Sequence, residues 1–262
     1  MRHVEHLFPI MGAKGNFTPE IMPVLRRLAI GATTYMEPFA GSAAIGLRAL
    51  FDFPSARHIW NDADPAIIAV WAAVRDKPDE LIDKVLAYTP TVEDFYRFKS
   101  LPPDGFRRLV IGYTTWSGNG SGCRGGKTQR YERIGERWNR GLIAKKIRLI
   151  HRWMTQNKLE LSCEDFEAVI PHADDRTLMF IDPPYHVSNH YYGRDMSAED
   201  HERLAALLST TPARWVLTYG DDTEVWRLYA QWCRIEDIGH RNLLITPKDQ
   251  NGKQERELSR LR

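Results

Sequence analysis

Four consecutive residues, Asp182-Pro183-Pro184-Tyr185, carry the clearest chemical signal in the sequence, because they directly follow a short apolar run that predicts a buried strand. Proline fixes the backbone φ angle and lacks an N–H donor, so the strand has to end at this point. Asp182 is thereby placed at the carboxyl edge of a sheet, where ligands bind in open α/β folds. The Asp182 carboxylate and the Pro183 carbonyl then offer two hydrogen-bond acceptors beside the Tyr185 ring. This arrangement fits a planar heterocycle with an exocyclic amine; the alternative is a strand-ending turn with an incidental aspartate.

A second signal is the segment Glu37-Pro38-Phe39-Ala40-Gly41-Ser42, in which a predicted strand ends and a turn of small residues begins a helix. Small residues let a ligand approach the backbone, and free N–H groups at a helix start favour electronegative groups. Asp62 ends the next predicted strand, about 20 residues later, where an acid accepts both ribose hydroxyls in nucleoside-binding folds. The alternatives are an ordinary strand–turn–helix unit and, for Asp62, the N-cap of a helix that starts at Pro65.

Strand-like and helix-like segments alternate along most of the chain, which predicts an α/β fold with a mostly parallel sheet and helices on its faces. The predicted strands are 34–39, 58–61, 159–163, 178–182, 215–219, 233–238 and 242–246. The alternation stops over 77–157, so we predict a domain of residues 1–76 and 158–262 interrupted by an inserted, mostly helical module. Four apolar residues of the insert recur at helical spacing and predict one buried helix face. These residues are Ile143, Ile147, Ile150 and Met154.

The charge is unevenly distributed, although 36 Lys and Arg against 34 Asp and Glu give a net charge of only +2. Residues 107–158 contain 13 Lys and Arg but only two Glu. Such a segment on an otherwise acidic body indicates a surface that faces a polyanion. Five of its basic residues flank a Gly-rich loop and are the residues expected to contact this polyanion. They are Arg124, Lys127, Arg130, Arg133 and Arg137.

Composition excludes several classes of protein. A chain of 262 residues, 43% of them hydrophobic, can bury a sizeable core. No run of about 18 apolar residues occurs, so no membrane span is predicted, and the first eight residues lack the apolar core of a secretion signal. The three cysteines lack metal-ligand spacing, and their odd number is unlike a disulfide framework. We therefore expect a cytoplasmic protein with neither a metal ion nor a membrane as partner.

Taken in order, these motifs resemble those of the adenine-specific DNA methyltransferases of the DNA adenine methylase (Dam-like, alpha-group) family over most of the chain. The resemblance implies a Rossmann-like sheet that binds S-adenosylmethionine, a catalytic motif at 182–185 and a DNA-recognition insert. It adds Lys14, within Gly12-Ala13-Lys14-Gly15, and the pair Asp165-Phe166 to the cofactor site. The residues expected to bind the cofactor are Lys14, Glu37, Pro38, Phe39, Gly41, Ser42, Asp62, Asp165 and Phe166. Ala13 and Ala43 stand where the family usually has glycine, and each is expected to add a methyl group close to the cofactor path.

The function implied by the resemblance is transfer of a methyl group from S-adenosylmethionine to the exocyclic N6 amine of adenine in double-stranded DNA, after the base has swung out of the helix. Aspartate, rather than serine, before the two prolines favours adenine in that family. The alternatives are an amine methyltransferase that acts on cytosine or RNA and a non-catalytic DNA-binding regulator with the same fold. The resemblance also allows a cognate restriction nuclease as a partner and a bacterial or phage origin.

Overall fold

A single seven-stranded sheet organises the molecule, whose computed structural model describes residues 6–10, 12–115, 122–124, 134–185 and 196–248. The strands are β1 (Thr34–Glu37), β2 (Arg57–Asn61), β3 (Lys158–Ser162), β4 (Thr177–Ile181), β5 (Arg214–Gly220), β6 (Cys233–Gly239) and β7 (Asn242–Pro247). Their order is β3-β2-β1-β4-β5-β7-β6, with β1 to β5 parallel and β7 antiparallel to both neighbours. The predicted strands are confirmed, and β1 ends two residues earlier than predicted because Pro38 cannot continue it.

Ten α-helices connect and cover the described strands. They are α1 (Thr18–Leu28), α2 (Ala44–Asp52), α3 (Pro65–Asp76), α4 (Pro78–Ala87), α5 (Val92–Lys99), α6 (Gly105–Thr114), α7 (Arg140–Gln156), α8 (Phe166–Val169), α9 (Ala198–Thr210) and α10 (Thr223–Tyr229). Short 3-10 helices span Lys14–Phe17 and Ile170–His172. No described helix is both long enough and apolar enough to cross a membrane.

The strand order creates a switch point between β1 and β4. From β1 the chain proceeds to β2 and β3 on one side, and it then returns to place β4 on the other side of β1. Connections therefore leave β1 and β4 in opposite directions and open a crevice at their carboxyl ends, which is where ligands bind in such sheets. The central strand β4 is buried along its whole length, as its continuous apolar sequence requires.

Side-chain alternation along the central strands divides the core into two layers. Tyr35 and Leu178 pack against α1 and α2 on one face of the sheet, in a cluster that also contains Ile21 and Leu25. Met36, Met179 and their neighbours pack against α8, α9 and α10 on the other face. This two-sided burial follows from the period of two residues along a strand, which points successive side chains to opposite faces of the sheet.

The segment between β2 and β3 contains α3 to α7, and its last two helices, α6 and α7, pack directly against α3. The predicted apolar face of α7 is confirmed, because Ile143, Ile147 and Ile150 are fully buried. They belong to the same cluster as Val70 and Trp71 of α3. Helix α7 therefore shares a core with the sheet domain and leads without a break into β3. The division of the chain at 77 and 157 stays a prediction.

Gly46 of α2 marks a close contact between this helix and the strand ends. A Cβ atom added here would lie 2.8 Å from two atoms of the Trp60 indole and 3.0 Å from Glu37 Oε1. Real Cβ atoms do not approach other atoms this closely. The absence of a side chain at Gly46 thus lets α2 lie directly on Trp60 and Glu37.

We predict that Gly46→Ala lowers the free energy of unfolding by about 1–3 kcal/mol, the usual cost of overpacking a core. The same change in an unobstructed helix raises stability by up to about 1 kcal/mol. Gly141→Ala in α7 is the matched control, because an added Cβ atom there meets only Asn139 Oδ1, at 3.8 Å. Urea unfolding of both variants measures the difference, and an increase in stability for Gly46→Ala would contradict the packing described above.

Candidate active site

A cavity of about 730 Å³ lies at the carboxyl edge of the sheet, around the ends of β1, β2 and β4. The residues of the predicted catalytic motif line it together with every predicted cofactor residue except Pro38. The lining residues from these predictions are Asp182, Pro183, Pro184, Tyr185, Lys14, Glu37, Phe39, Gly41, Ser42, Asp62, Asp165 and Phe166. Segments that are far apart in sequence are thus brought to one site. Its volume suits a small organic molecule.

Asp182 is held by two side chains. The Lys14 ammonium contacts its Oδ1 at 2.8 Å and its Oδ2 at 3.0 Å. The Thr218 hydroxyl of β5 donates to Oδ1 at 2.8 Å. Lys14 is itself only 3% exposed and also donates to the Gly12 carbonyl at 2.6 Å. The structure therefore places Lys14 against the catalytic motif, whereas the resemblance assigned it to the cofactor alone.

The Tyr185 ring lies in a slot formed by β5 and β7. An added Cβ atom on Gly220 would lie 3.0 Å from Tyr185 Cδ2, so any side chain there would require the ring to shift by a few tenths of an ångström. The Tyr185 hydroxyl donates to Asn242 Oδ1 at 2.9 Å. The Lys14 ammonium lies 4.7 Å from the centroid of the ring, within the range of a cation–π contact. Both ends of the tyrosine are thus fixed.

Asp62 organises the glycine turn. Its Oδ2 accepts from the Gly41 N–H at 2.8 Å, and its Oδ1 accepts from the Asp64 N–H at 2.9 Å. Burial raises the pKa of Asp62 to about 6, although these backbone hydrogen bonds oppose the shift. The N-cap of α3 is Asp64, whose carboxylate accepts from the Ala66 N–H. The alternative interpretation of Asp62 as the helix cap is therefore wrong.

Glu37 is the most deeply buried acid of the cavity, with 1% of its surface exposed. Burial raises its pKa to about 8, and the charge of Asp182 adds to this effect. The Tyr35 hydroxyl opposes it by donating to Glu37 Oε1 at 2.6 Å. Glu37 therefore holds its proton more strongly than an ordinary glutamate, and a cation in the cavity would favour its charged form.

Asn61 is a residue that the sequence analysis missed. Its side-chain N–H groups donate to the carbonyls of Pro38 and Glu164 at 3.0 and 2.9 Å. Its side-chain oxygen accepts from the Ser162 hydroxyl and the Glu164 N–H at 2.8 and 3.0 Å. This buried amide joins the ends of β1, β2 and β3. Its position directly before Asp62 at the end of a strand was the only sequence signal.

The inserted segment also forms part of the cavity wall, which the sequence analysis did not predict. Phe98 of α5, Pro102 and Pro103 line it together with Arg107 and Arg108 of α6. The charge of Arg108 partly offsets the burial effect on the pKa of the Asp62 carboxyl, and burial in turn lowers the pKa of the Arg108 guanidinium. This segment therefore closes the cavity beside Asp62.

The remaining predicted cofactor residues have identifiable structural roles. Asp165 caps α8 by accepting from the Glu167 N–H at 2.9 Å. The rings of Phe39 and Phe166 lie 5.5 Å apart at the cavity wall. Ala13 lines the cavity as expected.

The expectation for Ala43 is wrong. This residue is not part of the cavity lining, since it is buried in the core cluster around α2 and α3. Its φ angle of 48° explains why glycine is usual at this position. The methyl group of Ala43 therefore fills core space rather than narrowing the cofactor path.

The predicted DNA-binding residues are only partly covered by the structure. Lys127, Arg130 and Arg133 lie outside the described residues. Arg137 is exposed. Arg124 is only 3% exposed, and its backbone N–H donates to the Thr114 carbonyl at 2.8 Å. The DNA contacts of all five residues stay predictions.

The comparison with known families decides the identity of the fold and the reaction. A family model described as D12 class N6 adenine-specific DNA methyltransferase matches residues 11–242. The chain belongs to this family. The methyltransferase is thus an enzyme that methylates adenine in DNA, as the motif resemblance implied, and its sheet is of the Rossmann-like type.

Comparisons with single proteins add little to the family match. Two solved structures of the rRNA methyltransferase aviRa from Streptomyces viridochromogenes, at 2.4 and 1.5 Å, are similar to the chain at 16% identity. The alignments cover 93% and 94% of this chain and 87% and 89% of those chains, with TM-scores of 0.46 and 0.47. No curated protein sequence matches the methyltransferase.

We predict that Thr218→Val reduces the rate of methyl transfer by about 10- to 100-fold, because a hydrogen bond to a charged group contributes about 1.5–3 kcal/mol. Valine keeps the volume of the fully buried Thr218 side chain and removes only its hydroxyl. Thr218→Ser keeps the hydroxyl and serves as the control, with activity closer to wild type. Wild-type rates for the valine variant in a tritiated-methyl assay would show that Asp182 does not need this bond.

Proposed function

We propose that the cavity binds S-adenosylmethionine beside an adenine swung out of DNA, and that Asp182, Pro183 and Tyr185 receive the base. The observation that supports this most directly is the common lining of one cavity by the catalytic motif and by Glu37, Asp62 and Asp165. Substrate and methyl donor have to meet for direct transfer. A single cavity with an acceptor pair at one end and acids at the other provides for both.

The acids of the cavity fit a cationic cofactor. S-adenosylmethionine supplies an electrophilic methyl group on a positively charged sulfonium centre and also carries an ammonium group. Glu37 and Asp62 are buried carboxyls with raised pKa values, so a nearby cation favours their charged forms. Asp62 would accept from the ribose hydroxyls in addition to the backbone N–H groups that it already holds. The rings of Phe39 and Phe166 would enclose the adenine part.

Asp182 and the Pro183 carbonyl would accept the two N–H bonds of the target amine. The lone pair of an aromatic amine is delocalised into the ring, so the nitrogen is a poor nucleophile. Two acceptors favour a tetrahedral nitrogen with an available lone pair, and orientation of the amine contributes several kcal/mol to lowering the barrier. Lys14 and Thr218 would hold the Asp182 carboxylate in a fixed direction for this purpose.

Stacking of the base on Tyr185 would offset part of the free energy needed to remove the base from the helix. Flipping a base costs a few kcal/mol, and stacking on an aromatic side chain contributes about 1–3 kcal/mol. The basic segment 107–158 would hold the DNA backbone by neutralising phosphates. A cognate restriction nuclease and a cytoplasmic location also stay predictions.

We expect Asp182→Ala to abolish methyl transfer and to leave cofactor binding nearly unchanged, because Asp182 faces the amine and not the cofactor. Asp62→Asn should show the opposite pattern, with cofactor affinity lowered by about 1–3 kcal/mol and DNA affinity unchanged in the absence of cofactor. Asparagine keeps the volume of the side chain but can accept only one of the two backbone N–H groups, so urea unfolding of the variant is measured beside its cofactor affinity. The measurements are calorimetry with S-adenosylmethionine and tritiated-methyl transfer to DNA from a methylation-free host.

Two results would contradict the assigned roles. Methyl transfer by Asp182→Ala at a tenth of the wild-type rate or more would remove Asp182 from the mechanism. Unchanged cofactor affinity in Asp62→Asn would restrict Asp62 to its contacts with Gly41 and Asp64. The two variants are controls for each other, since both remove a carboxylate from the same cavity.

The raised pKa of Glu37 predicts opposite effects of pH on stability and on cofactor binding. The folded-state pKa of about 8 lies above the ordinary value of 4.5, so the contribution of Glu37 to stability is fully present at low pH and is lost progressively between pH 4.5 and about 8. Glu37→Gln should therefore gain stability over wild type as pH rises from about 6 to about 9. Wild-type cofactor affinity should rise over the same range relative to the glutamine variant, because ionised Glu37 attracts a cation. Urea unfolding and calorimetry test this, and parallel pH profiles for the two proteins would disprove it.

A further inference from the structure

The turn between β6 and β7 has an unfavourable backbone that its exposed side chains do not explain. His240 and Arg241 have φ angles of 50° and 59°, and Gly239 before them has a φ angle of 93°. Turns of this kind favour Asn-Gly, because residues with a Cβ atom are strained at positive φ. Both side chains are exposed, although the His240 ring also contacts Phe17. Strained backbone persists where the surroundings hold it, and it occurs often at functional sites.

The turn leads directly to Asn242 at the catalytic edge of the sheet. Asn242 pairs with Gly220 at the end of β5, and the Asp221 N–H fixes the turn by donating to the Arg241 carbonyl at 2.8 Å. The side-chain NH2 group of Asn242 donates to the His240 carbonyl at 2.9 Å. The same NH2 group lies 3.4 Å from the Gly239 carbonyl oxygen. The left-handed turn thus presents two carbonyls to one side of the Asn242 amide.

These contacts leave one orientation for the Asn242 amide. Its nitrogen can donate but not accept, so it has to face the turn carbonyls. Its oxygen therefore faces the opposite way, where it accepts from the Tyr185 hydroxyl at 2.9 Å. A reversed amide would direct oxygen at oxygen on one side. The turn consequently determines that an acceptor, and not a donor, meets Tyr185.

The Tyr185 ring is confined along the rest of its length. Gly220 lies against one edge of the ring, so close that an added Cβ atom would be 3.0 Å from Tyr185 Cδ2. The Tyr219 ring lies behind it, with centroids 5.8 Å apart, and the His201 imidazole contacts the Tyr219 hydroxyl at 2.6 Å. With these contacts fixing the ring edge, the bond to Asn242 fixes the remaining end.

We propose that Asn242 is a positioning residue for methyl transfer, which holds the Tyr185 ring in the plane on which the flipped adenine stacks. This inference rests on the stacking role given to Tyr185 under the proposed function. The strained turn contributes to this positioning role because it orients the Asn242 amide. The Tyr185 hydroxyl acts as an anchor for the ring and transfers no proton.

A double-mutant cycle between Tyr185 and Asn242 tests the proposal. Tyr185→Phe removes the bond from one side and leaves the turn intact, and Asn242→Ala removes it from the other. We expect each to lower kcat about three- to tenfold, the value of one neutral hydrogen bond, with the KM for S-adenosylmethionine unchanged. The double variant should be no slower than the slower single variant, because both changes delete the same interaction.

The orientation of the ring has its own spectroscopic readout. After the methylated site has been mapped by sequencing, 2-aminopurine is placed at the target position of a duplex. Stacking on Tyr185 should quench the flipped base in the wild-type complex, and both single variants should give brighter emission at saturating enzyme. Additive losses of kcat in the double variant, or unchanged kcat and emission in Asn242→Ala, would overturn the proposal.

Two further variants separate this inference from its neighbours. His240→Asn combined with Arg241→Gly supplies the favoured turn sequence and should keep wild-type kcat and emission, since the turn acts only through Asn242. A loss of activity in this variant would show that the turn side chains act themselves and would overturn the inference. Tyr185→Ala removes both the ring and its bond to Asn242. Full activity of this variant would refute the stacking role in the proposed function, whereas a loss of activity beside an unaffected Asn242→Ala would refute only the inference drawn here.

Discussion

The arrangement of the site depends on the buried side-chain amide of Asn61. Asn61 ends β2, and its four hydrogen bonds reach backbone or side-chain groups at Pro38 after β1 and at Ser162 and Glu164 at the end of β3. A buried amide that is fully paired is stable, but the same amide with one partner missing is costly. The strand ends therefore keep their relative positions together or lose them together. The turn with Gly41, the carboxylate of Asp62 and the start of α8 all extend from these ends.

The cavity concentrates opposite charges at low solvent exposure. The charges of Lys14 and Asp182 offset each other, and Thr218 donates a hydrogen bond to the Asp182 carboxylate. Glu37 and Asp62 accept hydrogen bonds instead, and burial raises the pKa of both carboxyls. Isolated buried charges are unfavourable, so the two halves of the cavity differ in electrostatic character. The half around Asp182 is preorganised with its charge, and the half around Glu37 and Asp62 gains its charge most readily with a cation present. This difference matches one neutral and one cationic ligand.

The sequence predicted the parts of the site that local rules determine. Prolines end strands, so the position of Asp182 at the sheet edge followed from its neighbours, and the apolar face of α7 followed from helical spacing. Contacts between distant segments were not predictable in this way. The partner of Lys14 lies 168 positions away and that of Tyr185 lies 57 positions away, and neither distance leaves a periodic signal. Ala43 was misjudged because a turn sequence does not reveal on which side a methyl group lies.

The cavity wall formed by Pro102, Pro103, Arg107 and Arg108 has a consequence for how enzymes of this architecture diverge. A recognition segment that contacted only DNA could change in sequence, or be replaced, without any change in the rest of the enzyme. Here the same stretch of chain closes the pocket beside Asp62 and shares its apolar core with α3. A graft of this stretch from one enzyme into another would carry part of the pocket with it. A change in this stretch is therefore coupled, through shared side chains, to the shape of the pocket.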